Sequence, residues 1–169
     1  MSEPFAALAE LFRYPEAPLD LAYVDLNDDA RRELAALDRR EWEAAYTSTF
    51  DLAPSCSPYL GAHLFTDESP DRARLLVGLR TSYAKAGMHF NESELPDHIA
   101  EVLAFAAHDE AEEWPDLVRL ILVPALTKMD ELVRGSSNPY RHLIAAARQT
   151  VAQTLLSVSE AALMPRSES

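Results

Sequence analysis

The stretch ESELPDHIAEVLAFAA, Glu92 to Ala107, gathers Glu94, Asp97, His98 and Glu101 within about two helical turns. Those residue types at that spacing support more than one chemistry. Carboxylates beside an imidazole can move protons. On a helix, Asp97 and Glu101 form an i, i+4 pair and His98 and Glu101 an i, i+3 pair, so they could converge on a metal ion. An acidic stretch can also receive a cationic peptide. The plainest reading is structural. Pro96 suits the first position of a helix, which places Asp97 in the first turn. There the helix dipole favours a carboxylate by about 0.3–1 kcal/mol, and Glu94 precedes the helix as a capping group.

The metal reading is the weakest of these. Zinc sites draw on more histidine or cysteine, and the sequence has neither HExxH nor a Glu-x-x-His pair. His63, His89, His108 and His142 stand alone, and the single cysteine, Cys56, has no nearby basic residue in sequence to activate it. The four glycines are scattered, so no phosphate-cradling loop is available. We therefore expect no catalytic residue, no metal ligand and no cofactor.

The docking reading has more support. From Ala86 to Val118 there is no lysine or arginine, while nine acids occur: Glu92, Glu94, Asp97, Glu101, Asp109, Glu110, Glu112, Glu113 and Asp116. Exposed ion pairs contribute only ~0–1 kcal/mol each, so such a face steers a basic peptide more than it holds it. Affinity needs an apolar groove, for which Phe50, Tyr59, Leu60, Leu64 and Phe65 are candidates, each worth roughly 1.5–3 kcal/mol on burial. Tyr46 and Phe50 fit better as core residues than as ligand contacts.

The elements that must position these groups read as helices. Pro4 to Arg13 carries Phe5, Leu8, Ala9 and Phe12 on one face. A second helix begins near Asn27-Asp28-Asp29, a run with good capping chemistry, and carries Ala30, Leu34 and Leu37. From about Arg40 to Phe50, Trp42, Ala45, Tyr46, Thr49 and Phe50 form one buried stripe. Asp51 to Pro70 is broken by prolines, with room for a short helix in SPYLGAHLF. Ser69 and Pro70 open a helix that stops at Gly87. The next begins at Pro96, with Ile99, Val102, Leu103 and Ala106 inside. A long helix from Pro115 to Arg134 should kink or split at Pro124. The last opens at Asn138-Pro139 and carries Leu143, Ile144, Ala147, Val151, Leu155 and Val158. The expected fold is all-α, one domain over residues 1–169, a bundle of about seven helices.

Composition narrows the function classes. Hydrophobic residues make up 48% of the chain and glycine is scarce, which favours a helical globular fold. With 15 basic against 28 acidic residues the formal charge is −13, so nucleic acid and anionic membrane surfaces are poor partners. The N-terminal stretch lacks the pattern of a signal peptide, and no run approaches the length of a membrane span. We expect a cytoplasmic protein, either a monomer or a dimer with exchanged elements.

Two segments, YTSTFDLAPSCSPYLGAHLF and LRTSYAKAGMHFNESELPDHIAEVLAFAA, together resemble the assembly chaperones of molybdenum oxidoreductases, the TorD/DmsD/NarJ superfamily, and most of all the chaperones of the nitrate reductase delta type. The resemblance rests on Tyr46-x-x-Thr49-Phe50-Asp51-Leu52, Ser57-Pro58-Tyr59-Leu60, Tyr83 with Gly87, and Glu94-Leu95-Pro96-Asp97-His98-Ile99, with Asn138-Pro139-Tyr140 as a weaker echo. It implies a helical, non-enzymatic chaperone. Its partner would be the N-terminal segment, often a twin-arginine leader, of a molybdenum-containing catalytic subunit, held until the cofactor is inserted. It further implies peptide contacts at Tyr46, Phe50, Pro58, Tyr59, Pro96, Asp97 and His98, with Asp97 facing an arginine or backbone N–H and His98 orienting the peptide. Leu60 from the apolar segment and Glu94 from the acidic stretch complete the expected peptide contacts. Beyond Ala107 no motif matches, and Leu122-Val123-Pro124 interrupts a helix expected to wall the groove. The alternatives are a helical metal-dependent enzyme using Glu94, Asp97, His98 and Glu101, and a structural subunit of an oxidoreductase complex.

Overall fold

The structure, a computed structural model, describes residues 3–51, 54–108 and 114–163, with backbone only at 114 and 158–163. Leu52, Asp109, Glu110, Glu112, Glu113 and the Val158 side chain therefore lie outside the described residues. The chain is all-α, with no strand among the described residues. The helices are α1 (Glu3–Leu11), α2 (Asp28–Ala35), α3 (Arg39–Tyr46), α4 (Gly61–Leu64), α5 (Pro70–Lys85), α6 (Ile99–Ala106), α7 (Trp114–Leu117), α8 (Val123–Val133) and α9 (Tyr140–Leu163). None of them is long and apolar enough to cross a membrane.

Helix starts follow local capping chemistry. The Asn27 side chain accepts from the Ala30 N–H at 2.9 Å. Asp38 and Glu41 form a reciprocal capping box at the start of α3. Ser69 accepts from the Asp71 N–H, with Pro70 just inside α5. Gly87 ends α5 in the left-handed region, φ 65°, which only glycine adopts without cost.

Two departures from the sequence expectation have clear causes. Helix α6 starts at Ile99, not Pro96. Pro96 is instead the second residue of a turn closed by the His98 N–H donating to Leu95 O at 3.0 Å, a position that suits its fixed φ. The expected long helix is continuous from Trp114 to Val133 but widens into a π turn at Val118–Leu122, just before Pro124. There the Val123 N–H reaches back to Val118 O, so the backbone adjusts around the missing proline donor without breaking. A similar π turn, Thr47–Asp51, continues α3.

Helix α1 packs along α6 and touches α9, and α8 runs against α9. Phe5, Leu8 and Phe12 enter this core with Ile99, Val102, Leu103, Leu126, Met129 and Leu143. An aromatic cluster ties α1, α3 and α9 together. Tyr140 stacks on Trp42 at 4.5 Å, meets Phe50 edge-on at 4.7 Å and donates its hydroxyl to Leu11 O at 3.3 Å.

Candidate functional site

The two motifs that drew the sequence reading are joined to each other. Backbone at Pro58–Leu60 pairs antiparallel with Asp97–Ile99: the Leu60 N–H donates to Asp97 O at 2.9 Å and the Ile99 N–H to Pro58 O at 2.8 Å. The Gly61 N–H donates to Asp97 Oδ2 at 3.0 Å, and the Tyr83 hydroxyl to Pro96 O at 2.7 Å. The Tyr59 hydroxyl donates to Glu94 at 2.8 Å, and its ring meets His98 edge-on at 5.6 Å. This pairing holds His98 in extended conformation, where its Nδ1 accepts from the Ala100 N–H at 3.2 Å and caps α6.

His98, Glu94 and Tyr46 face a cleft of ≈ 790 Å³. Its other wall is α1 with the loop Tyr14–Tyr23: Ala6, Ala7, Leu11 and Leu19 give apolar surface, and Trp42 contributes from α3. Four exposed acids from this N-terminal region, Glu3, Glu10, Glu16 and Asp20, stand around it. Exposed Tyr14 and Tyr23 flank the opening, Tyr14 edge-on to Tyr46 at 5.4 Å. Arg13 reaches from the end of α1 to Glu101, which is 1% exposed, and also to Glu10 at 3.2 Å. A second cleft of ≈ 490 Å³ shares Ala17, Pro18, Leu19 and Trp42 with the first and is otherwise lined by Leu21, Arg31, Leu34, Ala35, Leu37, Asp38 and Arg39.

The ionisable groups have specific settings. Burial lowers the His98 pKa, against the opposite pull of Glu94 and Glu101, so the ring favours the neutral form in which Nδ1 can accept. Burial pushes the Tyr46 and Tyr59 phenols up to about 12, with Glu94 adding to both, so each stays a hydrogen-bond donor at neutral pH. Burial raises Asp97, opposed by the Gly61 N–H and the charge of Arg72. Burial also pushes the Cys56 thiol up to about 12, which removes any thiolate chemistry near pH 7.

The nine residues expected to contact a peptide therefore divide. Tyr46, Glu94 and His98 line the cleft. Tyr59 sits behind Glu94 as its hydrogen-bond donor. Phe50, Pro58, Leu60, Pro96 and Asp97 are buried, and Asp97 is 0% exposed with its carboxylate turned to Gly61, not outward. The described acids between Ala86 and Val118 have different settings. Asp97 and Glu101 are buried, Glu94 is half-buried, and Asp116 pairs with Arg119 at 2.9 Å. The four groups of the metal-enzyme alternative are each engaged with a different partner: Tyr59, Gly61, Ala100 and Arg13.

Sequence reasoning missed the wall formed by α1, having expected the helix around Pro124 to supply it. The signal was present: Arg13 continues the row Phe5, Ala9, Arg13 at four-residue spacing, so an arginine stands on the buried stripe. Likewise Glu101 lies in a helix whose Ile99, Ala100, Val102, Leu103, Phe105 and Ala106 are all buried, a setting in which a charge must find a partner.

Comparison with known proteins places these features in context. The family model described as nitrate reductase delta subunit matches residues 13–157. Over 76 residues the chain is 34% identical to the nitrate reductase molybdenum cofactor assembly chaperone NarJ of Escherichia coli K12, and equally to that of strain O157:H7. The aligned stretch is 45% of this chain and 32% of those relatives, so the match spans about a third of their length. A protein from Archaeoglobus fulgidus described as a redox enzyme maturation protein superposes with a TM-score of 0.67 and 23% identity, covering 90% of this chain and 94% of that one, a likeness of fold.

Proposed function

The chain belongs to the nitrate reductase delta subunit family, and on that premise we propose that it is an assembly chaperone for the catalytic subunit of a molybdenum-containing oxidoreductase. It captures the N-terminal segment of that subunit, holds it while the molybdenum cofactor is inserted, and releases it afterwards. It acts in the cytoplasm and transforms no substrate. The curated relatives are named as assembly chaperones, not as catalysts.

The observation that carries this reading is the cleft between α1 and the Glu94–His98 element. Its walls are apolar and aromatic, its surroundings are acidic, and its size is within the range of ligand-binding clefts. Such a site suits an amphipathic segment with apolar anchors and basic residues beside them. The apolar walls supply affinity and the acids supply orientation. Of the expected peptide contacts, Tyr46 and His98 from the family resemblance and Glu94 from the acidic stretch line this cleft, and Trp42, Leu11 and Leu19 join them.

Titration calorimetry of the purified chain with N-terminal peptides of molybdoenzyme catalytic subunits tests the reading. Saturable binding that is lost in Tyr46→Ala, with helicity unchanged, is the expected result. A chain that ignores every such peptide, or that turns over a small molecule, would overturn it.

A further inference from the structure

Arg13 is the one lysine or arginine among the residues that line the cleft, and it belongs to the chaperone itself. Its guanidinium bonds Glu101, a carboxylate that is 1% exposed, while the arginine side chain keeps 34% of its surface open. Its second partner is the exposed Glu10. Arg13 thus sits with its head in a buried slot and its stem at the cleft wall. The loop that follows it is held by packing, Tyr14 against Tyr46 and a buried Pro15, and not by hydrogen bonds. Among the described residues, 14–19 donate no hydrogen bond to the body of the protein, and the loop is next pinned where Arg31 donates to Leu21 O at 2.9 Å and Val24 O at 2.8 Å. Beside the slot, His98 is 4% exposed and lines the same cleft; its Nδ1 is used by the Ala100 N–H, while its Nε2 has no partner among the described residues.

We propose that Glu101 is the guanidinium-binding site of the cleft and that Arg13 is a resident placeholder which an arginine of the client displaces. This rests on the peptide-capture reading above and adds how arginine is chosen. A buried carboxylate left alone costs far more than an exposed one. The slot therefore has to hold a cation both before and after the client arrives, and exchange of one guanidinium for another meets that condition throughout. The planar fork of arginine suits a carboxylate better than the point charge of lysine does, so the exchange discriminates between them. The displaced Arg13 has solvent and the exposed Glu10 to go to. A peptide without arginine leaves Arg13 in place and gains only the apolar contacts. His98 Nε2 is the neighbouring donor for a backbone carbonyl of the incoming segment.

Removing the placeholder tests this. Arg13→Ala leaves Glu101 unpaired, so the variant melts lower than wild type. N-acetylarginine amide should raise its melting temperature, while N-acetyllysine amide at the same ionic strength does much less. Neither should stabilise wild type, and Arg13→Ala with Glu101→Gln should lose the response. In calorimetry, a synthetic amphipathic peptide bearing two arginines and its glutamine counterpart should differ in affinity about tenfold more on Arg13→Ala than on wild type. Should Arg13→Ala fail to fold, Arg13→Lys keeps a charge on Glu101 and should show the same widening to a smaller degree. Absence of arginine-specific stabilisation in a folded Arg13→Ala, or an unchanged affinity gap, would overturn the placeholder role while leaving peptide capture standing. If arginine amide rescues Arg13→Ala but no client peptide binds wild type, the slot is real and the chaperone reading fails.

Discussion

The Gly61 amide donates to Asp97 Oδ2 at 3.0 Å, across 36 residues of sequence, and a methyl group at Gly61 would lie 2.7 Å from that same oxygen. The two residues are therefore fitted to each other. Gly61 is required by the close approach of a buried carboxylate and not by an unusual φ. We expect Gly61→Ala to destabilise the protein by about 1–3 kcal/mol, the usual range for overpacking a core. Asp97→Ala should also destabilise, by about 1–3 kcal/mol, because it strips a buried N–H of its acceptor. The double variant should cost clearly less than the sum, since without the carboxylate the new methyl has room. Urea unfolding of the four proteins checks it, and strict additivity would count against the contact.

His98 gives the protein an acid-side sensitivity. Its Nδ1 accepts from the Ala100 N–H, and burial holds the ring's pKa below the ordinary value of about 6.5. For a group whose native pKa is lowered, the contribution to stability is complete above the unfolded value and is lost as pH falls through the native one. Stability should thus be flat on this account above about pH 6.5 and decline below it. His98→Asn supplies a cap that does not titrate and should flatten that decline, while His98→Ala should cost about 0.5–2 kcal/mol at neutral pH through loss of the cap. Thermal melts from pH 5 to 8 decide it.

Much of the helical scaffold was legible because the signals are local. Asn27, the Ser69-Pro70 pair and Gly87 mark their helix ends as their side-chain chemistry requires. The stripe Trp42, Ala45, Tyr46, Thr49 and Phe50 is buried as its spacing demands. Where the reading departed, long-range pairing outweighed local preference. Pro96 resembles a helix opener, yet pairing of Asp97–Ile99 with Pro58–Leu60 draws the chain into extended form until His98. The candidate site was legible in part for the same reason. Glu94 and His98 were recognisable from the motif they share. Their opposite wall lies on α1, about 80 to 90 residues earlier, and the Arg13 to Glu101 bond spans 88 positions that no periodicity connects. The inward turn of Asp97 follows from that pairing and could not be read from its neighbours.

Asn138 is a joint between the α3 extension and α9. Its Oδ1 accepts from the Tyr140 N–H at 2.9 Å, and its Nδ2 donates to Thr49 Oγ1 at 2.6 Å, a side chain with no exposed surface. Asn138→Ser keeps a capping oxygen but loses the reach to Thr49, and should cost about 0.5–1.5 kcal/mol, the net worth of one hydrogen bond. Asn138→Ala also loses the acceptor for Tyr140 and should cost roughly 1 kcal/mol more. For a chain of this length each kcal/mol lowers the melting temperature by about 2–4 °C. Equal melting of the serine and alanine variants would show that only one of the two bonds matters.

The acidic surroundings of the cleft, and not the acid run of the sequence, should govern the salt dependence of peptide binding. Exposed charges act over a Debye length of about 8 Å at physiological ionic strength, so only those at the opening can steer a bound basic segment. Glu3 and Glu16 are exposed there, whereas Asp116 lies outside the residues that line the cleft and already pairs with Arg119. Replacing Glu3 and Glu16 by glutamine should slow association with an arginine-bearing peptide and flatten its decline with added salt, with little change in the dissociation rate. Asp116→Asn should leave both untouched. Stopped-flow binding across a salt series separates the two surfaces: a loss of salt dependence in Asp116→Asn, or its persistence in the Glu3 and Glu16 double variant, would move the electrostatic face away from the cleft.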